Sequence, residues 1–330
     1  MQRPRILPAV FGRRHLATGA LLAIALGSAP SGWSATPARN GAVLDDAARF
    51  AALFDANDGA PGAPVLQSDY LDPGTPGIAI FTPYRIKDAA NLARHVAAAP
   101  ADYRHAIDVC LPEAQRMHDE VSATIVKVGT LLGSLDAAPS YFLFGADNSG
   151  GTADTDGLGI GLEVICKGVQ TPAQAREVIR EFVAHEMTHV FQQRNGLETH
   201  QHDLLQHVLS EGFADFIMGQ VLGADTRIDA ARRAYGLAHE AELWRRLQAD
   251  VAADKGDETW MFNTRTPPPG LPSDLGYWIG RRICESYYDH ATDKAAAIRT
   301  LLLSHDSRAI LDASGYGRSI DAPPTPAKAR

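Results

Sequence analysis

Hydrophobic residues first recur at helical spacing over residues 45–54 and again over 87–98, which predicts two amphipathic helices. Between them, 57–83 is rich in Gly, Pro and Asp and reads as a loop with short extended pieces. A long helical pattern covers 101–132, with a break expected at Pro112. The period then shortens. Tyr141-Phe142-Leu143-Phe144 and residues 158–165 read as strands, and the Gly-, Asn-, Asp- and Thr-rich stretch 145–157 between them reads as a turn-prone loop. Thr171 and Pro172 supply an N-cap and a first-turn proline for a helix that runs to Arg194, where Asn195-Gly196 stops it. Further helices are predicted over 203–219, 228–252, 274–290 and 295–304, with a Pro-rich loop over 264–272. There is no internal repeat. The pattern predicts an α+β fold, mainly helical, with a small sheet packed on a central helix and a helical C-terminal half.

The start of the chain reads differently. Arg3, Arg5, Arg13 and Arg14 precede an apolar run of about a dozen residues, and small residues follow up to Ser34-Ala35. A basic region, a short apolar region and a small-residue exit describe a signal peptide over 1–35, with a merely disordered start as the alternative. The Arg13-Arg14 pair resembles a twin-arginine export signal, although Gly12 stands where Ser or Thr is expected. Export to the periplasm or beyond, by the Sec or the twin-arginine route, is therefore expected.

Composition narrows the function. The chain has 31 basic and 39 acidic residues, a formal net charge of −8. Without the first 35 residues the balance is about −12, a poor match to a phosphate backbone, so no nucleic-acid partner is expected. No apolar run reaches the roughly 18 residues that a stable membrane span requires. Three Cys, at 110, 166 and 284, are no disulfide framework; one pair can form in an oxidising compartment, or all three are buried small hydrophobes.

The chemistry concentrates in His185-Glu186-Met187-Thr188-His189 on the central helix. A spacing of four puts both imidazoles on one helix face, one turn apart, where they can share a metal ion. Glu186 points off that face, towards where a water on the metal would sit. Glu211 follows 22 positions after His189, far enough for an antiparallel return beneath the metal. Two His and one Glu leave Zn2+ a fourth position for water, the catalytic arrangement. Asp215, four residues after Glu211, can accept the free ring N–H of a ligand histidine. A metzincin third ligand fails, because Gln192 and Asn195 stand where Gly and His are needed. His200, His202 and His207 are rival ligands in a His-rich stretch.

These motifs resemble the gluzincin branch of zinc metallopeptidases and, more closely, the predicted zinc-dependent proteases of the bacterial DUF2268 family. Three more stretches carry the likeness: 157–163 (Gly-Leu-Gly-Ile-Gly-Leu-Glu), 211–214 (Glu-Gly-Phe-Ala) and 275–280 (Leu-Gly-Tyr-Trp-Ile-Gly). It covers roughly 100–315 and implies a zincin-like fold and a peptidase-like site without naming a substrate. It also implies that His185 is the partner of Asp215. Some relatives look like lipoproteins, but residues 1–40 contain no Cys to carry a lipid, so that role does not transfer.

The expected organisation is a signal peptide over 1–35, an N-terminal segment over 36–100 packed on the body, a zincin-like metallopeptidase domain over 101–320, and a disordered tail over 321–330. The expected function is a secreted or periplasmic zinc metallopeptidase acting on peptide or protein substrates. His185, His189 and Glu211 would be the ligands, and Glu186 the general base on a zinc-bound water. Tyr277 is the expected oxyanion donor, with packing in a helix interface as its other reading. Residues 157–164 would form the strand beside the cleft. The alternatives are a non-enzymatic, zinc-stabilised periplasmic interaction protein, which has no use for Glu186, or a zinc hydrolase of a non-peptide amide or ester.

Overall fold

The computed structural model describes residues 41–321 except 137, 198–202, 224, 225 and 228. The expected signal peptide, the expected tail beyond 321, and His200 and His202 lie outside the described residues. Strand β1 (Ala42–Val43) leads into α1 (Asp45–Ala56), which buries Phe50 and Phe54. The stretch 57–83, expected to be a loop, is instead mostly helical. It holds α2 (Ala63–Leu66), a π-helical turn at Gln67–Leu71, α3 (Pro76–Phe81) and the start of a second π turn at Thr82–Ile86. Pro64 and Pro76 sit in first turns, where a missing N–H costs nothing, so they start helices rather than break them, and Pro83 lies in the π turn that continues α3. Leu66, Tyr70, Ile78 and Phe81 give this stretch a buried face. Then come α4 (Ala89–Ala98), α5 (Pro100–His105), a π turn at Ala106–Cys110, α6 (Leu111–Arg116) and α7 (His118–Leu132). The break expected at Pro112 falls at Met117. The turn before the proline widens, Leu111 N–H reaching back five residues to the Ala106 carbonyl, and the ring is accommodated.

Three further strands join β1 in one mixed sheet of order β1-β2-β4-β3: β2 (Ser140–Leu143), β3 (Gly151–Asp154) and β4 (Gly157–Gly161). β2 pairs in parallel with β1 and β4, and β3 pairs antiparallel with β4, Gly151 opposite Ile160 and Asp154 opposite Gly157. The expected loop 145–157 therefore contains a strand. β3 lies at the sheet edge, half-buried and short of apolar residues, so it carries no alternating signal. The strand expected over 158–165 ends at Gly161, and Leu162–Ile165 forms a single helical turn, α8. Cys166, which follows α8, is joined to Cys110 by a disulfide, while Cys284 is free and buried.

The second half is helical, as its patterning predicts. α9 (Pro172–Arg194) begins at Thr171, whose hydroxyl accepts the Gln174 N–H, and ends before Asn195. α10 (Leu204–Leu222) is capped by Asp203, and α11 (Ala230–Ala252) is kinked at His239. α12 (Leu275–His290), α13 (Lys294–Leu303), α14 (Ser307–Ser314) and α15 (Tyr316–Asp321) complete the described chain. α10 crosses α12 backbone to backbone. A Cβ on Gly212 would lie 2.1 Å from the Gly280 carbonyl carbon, and one on Gly280 would lie 1.8 Å from the Val208 oxygen. Only glycine permits that approach. One apolar core joins both halves, from Ala47 on α1 to Tyr316 on α15. No helix among the described residues is long and apolar enough to cross a membrane.

Candidate metal centre

α9 is buried on nearly every side from Val183 to Gln192, which allows it to carry charged side chains into the core. Its His185 and His189 point the same way, and α10 delivers Glu211 between them. The three ligating atoms form an almost equilateral triangle. His185 Nε2 and His189 Nε2 stand 3.1 Å apart, and Glu211 Oε2 lies 3.2 Å from the first and 3.1 Å from the second. Ligands held tetrahedrally at about 2.0–2.1 Å from zinc have mutual separations of about 3.3–3.4 Å. Two imidazole nitrogens and one carboxylate oxygen are also the donor types that zinc takes. On both counts the group fits zinc. Among the described residues this is the one cluster of three His, Cys, Asp or Glu side chains arranged to hold a metal ion.

The other ring nitrogens decide whether those Nε2 lone pairs are free. His185 Nδ1 donates to Asp215 Oδ1 at 2.8 Å, the pairing that the resemblance implied, and His189 Nδ1 donates to Gln192 Oε1 at 2.6 Å. Gln192 is oriented by donating its own Nε2 to the Ser210 carbonyl at 3.1 Å. Both imidazoles are thereby fixed with Nδ1 protonated and Nε2 turned to the metal position. Asp215 is fully buried, and its second oxygen accepts Arg232 Nη2 at 2.8 Å. Burial alone would raise the Asp215 carboxyl, but the Arg232 charge and the His185 hydrogen bond together outweigh it and hold Asp215 below its usual range. Gln192 and Arg232 were not among the expected site residues. Gln192 lies three residues after His189 on the same helix, a spacing that flags it in retrospect. Arg232 arrives from α11, and nothing local in the sequence announces it.

The site asks for positive charge. Burial opposes charge on His185, yet hydrogen bonds to Asp215 and Glu211 prevail and push its imidazole up to about 10. Burial would likewise raise Glu211, but the two imidazoles hold it far below an ordinary carboxylate. A proton meets that demand in the metal-free site, and a divalent cation is the other charge that the three ligating atoms could take.

Glu186 lies beside the cluster, mostly buried, and no donor among the described residues bonds its carboxylate. Burial raises its pKa despite the two neighbouring imidazoles. Gly151 of β3 packs directly against it, so close that a Cβ there would lie 2.3 Å from Oε1. The strand beside the site is therefore β3 and not residues 157–164: β4 is paired on both sides and has no free backbone edge. The Tyr277 ring stacks on His185 with centroids 6.0 Å apart and lies beneath the Arg232 guanidinium, which is 4.7 Å from its centroid. Burial and the nearby Glu211 charge raise its phenol well above the ordinary value, so it stays a donor. The Gly212–Gly280 crossing brings Tyr277 here, since Gly212 follows Glu211 and Gly280 lies one turn beyond Tyr277. His207 lies outside the cluster, its Nδ1 2.7 Å from Asp257 Oδ2.

Comparison with curated proteins and with solved structures gives no match. One family model does match, over residues 142–307, a narrower span than the resemblance suggested but one that includes the whole metal cluster and Tyr277. The chain belongs to the DUF2268 family, described as predicted Zn-dependent proteases.

Proposed function

We propose that the protein is a zincin-like zinc metallopeptidase that cleaves peptide or protein substrates outside the cytoplasm. His185, His189 and Glu211 would hold the metal. The observation that carries this reading is Glu186: a buried carboxylate with no hydrogen-bond partner among the described residues, next to a three-ligand cluster, has no purpose in a purely structural site. When bound, zinc supplies a Lewis acid that polarises the scissile carbonyl and makes water acidic enough to ionise near neutral pH. Glu186 accepts the proton of the attacking water and passes it to the leaving amine. Tyr277, protonated throughout the working range, donates to the developing oxyanion. The outer edge of β3 has no strand partner among the described residues; its Gly151 and Ala153 carbonyls already accept the Ser149 hydroxyl and Gln193 Nε2, so its N–H groups are what it offers an extended substrate led past Glu186. Export is supported by the basic and apolar pattern of residues 1–35 and by the Cys110–Cys166 pair, which suits an oxidising compartment.

The test combines metal analysis with a peptide-library screen. The purified protein should carry about one zinc per chain, and the His185→Ala/His189→Ala variant none. Glu186→Gln should keep its zinc and lose hydrolysis, because the base is removed and the ligands are not. Equal zinc in the double variant defeats the ligand assignment, and full activity in Glu186→Gln defeats the mechanism.

A further inference from the structure

Two ring contacts out from His185 stands Phe262, exposed and in a strained backbone conformation. Its φ is 54°, left-handed backbone in which a bulky side chain is strained. It is 59% exposed, while Trp260, Met261 and Asn263 on either side are buried. Asn would adopt that backbone readily and be at home in water. An aromatic held there is unfavourable on both counts.

The loop is also fixed rather than loose. Asn263 N–H donates to Asp274 Oδ1 and Asp274 N–H donates back to Asn263 Oδ1, both at 2.8 Å. The Thr264 hydroxyl donates to Asp274 Oδ2 at 2.6 Å, and Gly276 N–H donates to the Trp260 carbonyl at 2.9 Å. These four bonds clamp the loop to the start of α12, the helix that carries Tyr277. The Phe262 ring stands edge-on to Tyr277, centroids 6.3 Å apart, and edge-on to His207 at 6.1 Å. Tyr277 in turn stacks on His185. Three aromatic rings therefore run from a metal ligand out to solvent, and the outermost is strained and presented on a rigid support.

We propose that Phe262 is a specificity residue, and that it packs against a large apolar or aromatic side chain one or two residues from the bond that is cleaved. The ring steps from His185 to Tyr277 and from Tyr277 to Phe262 are 6.0 and 6.3 Å. An extended peptide advances about 3.3 Å per residue and a large side chain adds its own length, so together they reach the Phe262 ring. The inference rests on the metallopeptidase reading and names its substrate class: peptides with an apolar residue beside the scissile bond. The backbone strain is retained because the aromatic face is needed there.

The experiment measures binding by calorimetry, using the full chain loaded with zinc and two probes that differ in one side chain, N-acetyl-phenylalanine hydroxamate and N-acetyl-serine hydroxamate. The hydroxamate anchors each probe on the metal. Wild type should prefer the phenylalanine probe by about tenfold or more. Phe262→Asn should reduce that preference to within about threefold and leave the melting temperature unchanged or raised, because strain is relieved. Phe262→Trp should keep the preference. An Asn variant that discriminates like wild type, or a wild type with no preference, overturns the proposal. If neither probe binds in a zinc-dependent way in any variant, the metallopeptidase reading falls and this inference falls with it.

Discussion

Replacing Asp215 by Asn changes almost nothing in shape and much in hydrogen bonding. Asp215 uses one oxygen to accept His185 Nδ1–H and the other to accept Arg232 Nη2–H, each at 2.8 Å. Asn offers one acceptor and one NH2, so whichever way the amide turns, a donor faces a donor. With the NH2 towards His185, the imidazole must move its proton to Nε2 and give up the lone pair it would present to the metal. With the NH2 towards Arg232, a buried guanidinium loses one of two carboxylate partners and keeps only Asp229 at 2.8 Å. The first outcome weakens metal binding by about 10- to 100-fold, or about 1.4–2.7 kcal/mol. The second lowers stability towards the small end of the roughly 3–5 kcal/mol that breaking a buried ion pair costs, since Asp229 remains. Competition with a chromogenic chelator at pH 7 reads the first, and a thermal melt of the zinc-free protein reads the second. An Asn variant with wild-type zinc affinity and an unchanged melt would show that Asp215 orients nothing.

Two further outcomes follow from groups away from the metal-ligand cluster. Cys110→Ser should lower unfolding free energy by about 2–4 kcal/mol in denaturant titrations, the usual worth of a disulfide closing a long loop, here with a sequence separation of 56. Reductant should do the same to the wild type and nothing to the variant; equal stability of all three refutes a formed bond. Glu163 is buried under the backbone N–H groups of Gly145 and Asp147, and burial pushes its carboxyl up to about 7 from an ordinary 4.5. The folded state thus holds a proton that the unfolded chain has released between those values. Its contribution to stability is full below about pH 4.5 and is lost by about pH 7. Glu163→Gln, neutral throughout, should remove that downward slope from a series of melts between pH 4.5 and 8; parallel curves for the two proteins refute it.

What the sequence made legible were features decided locally. α9 is bounded by Thr171 with Pro172 and by Asn195 with Gly196, residues that act within one turn of themselves, and its two histidines need only helical geometry to converge. Glu211 and Asp215 were readable because one helix turn separates them. The features that stayed hidden are those settled by distant partners. Pro64 and Pro76 look like loop markers until one sees that they open helices against the core. β3 becomes a strand only because β4 pairs with it, and its Gly151 has a reason only beside Glu186. Arg232 is one of many arginines in the sequence; what gives it a role is burial between Asp215 and Asp229. Which cysteines pair is likewise settled by the fold, which sets Cys110 and Cys166 with Cα atoms 6.0 Å apart.

The bare crossing of Gly212 and Gly280 is also a ruler. With no side chain between them, the two backbones set the separation of α10 and α12 at van der Waals contact, and Arg281–Asp229 and Arg282–Glu240 ion pairs hold α12 from its other sides. Glu211 lies next to one end of this contact. Tyr277 lies one turn from the other, about 4.5 Å along the helix. The spacing between the carboxylate and the phenol is therefore fixed by backbone against backbone, and any side chain larger than hydrogen at either glycine pushes Tyr277, and the Phe262 loop clamped behind it, away from the cluster.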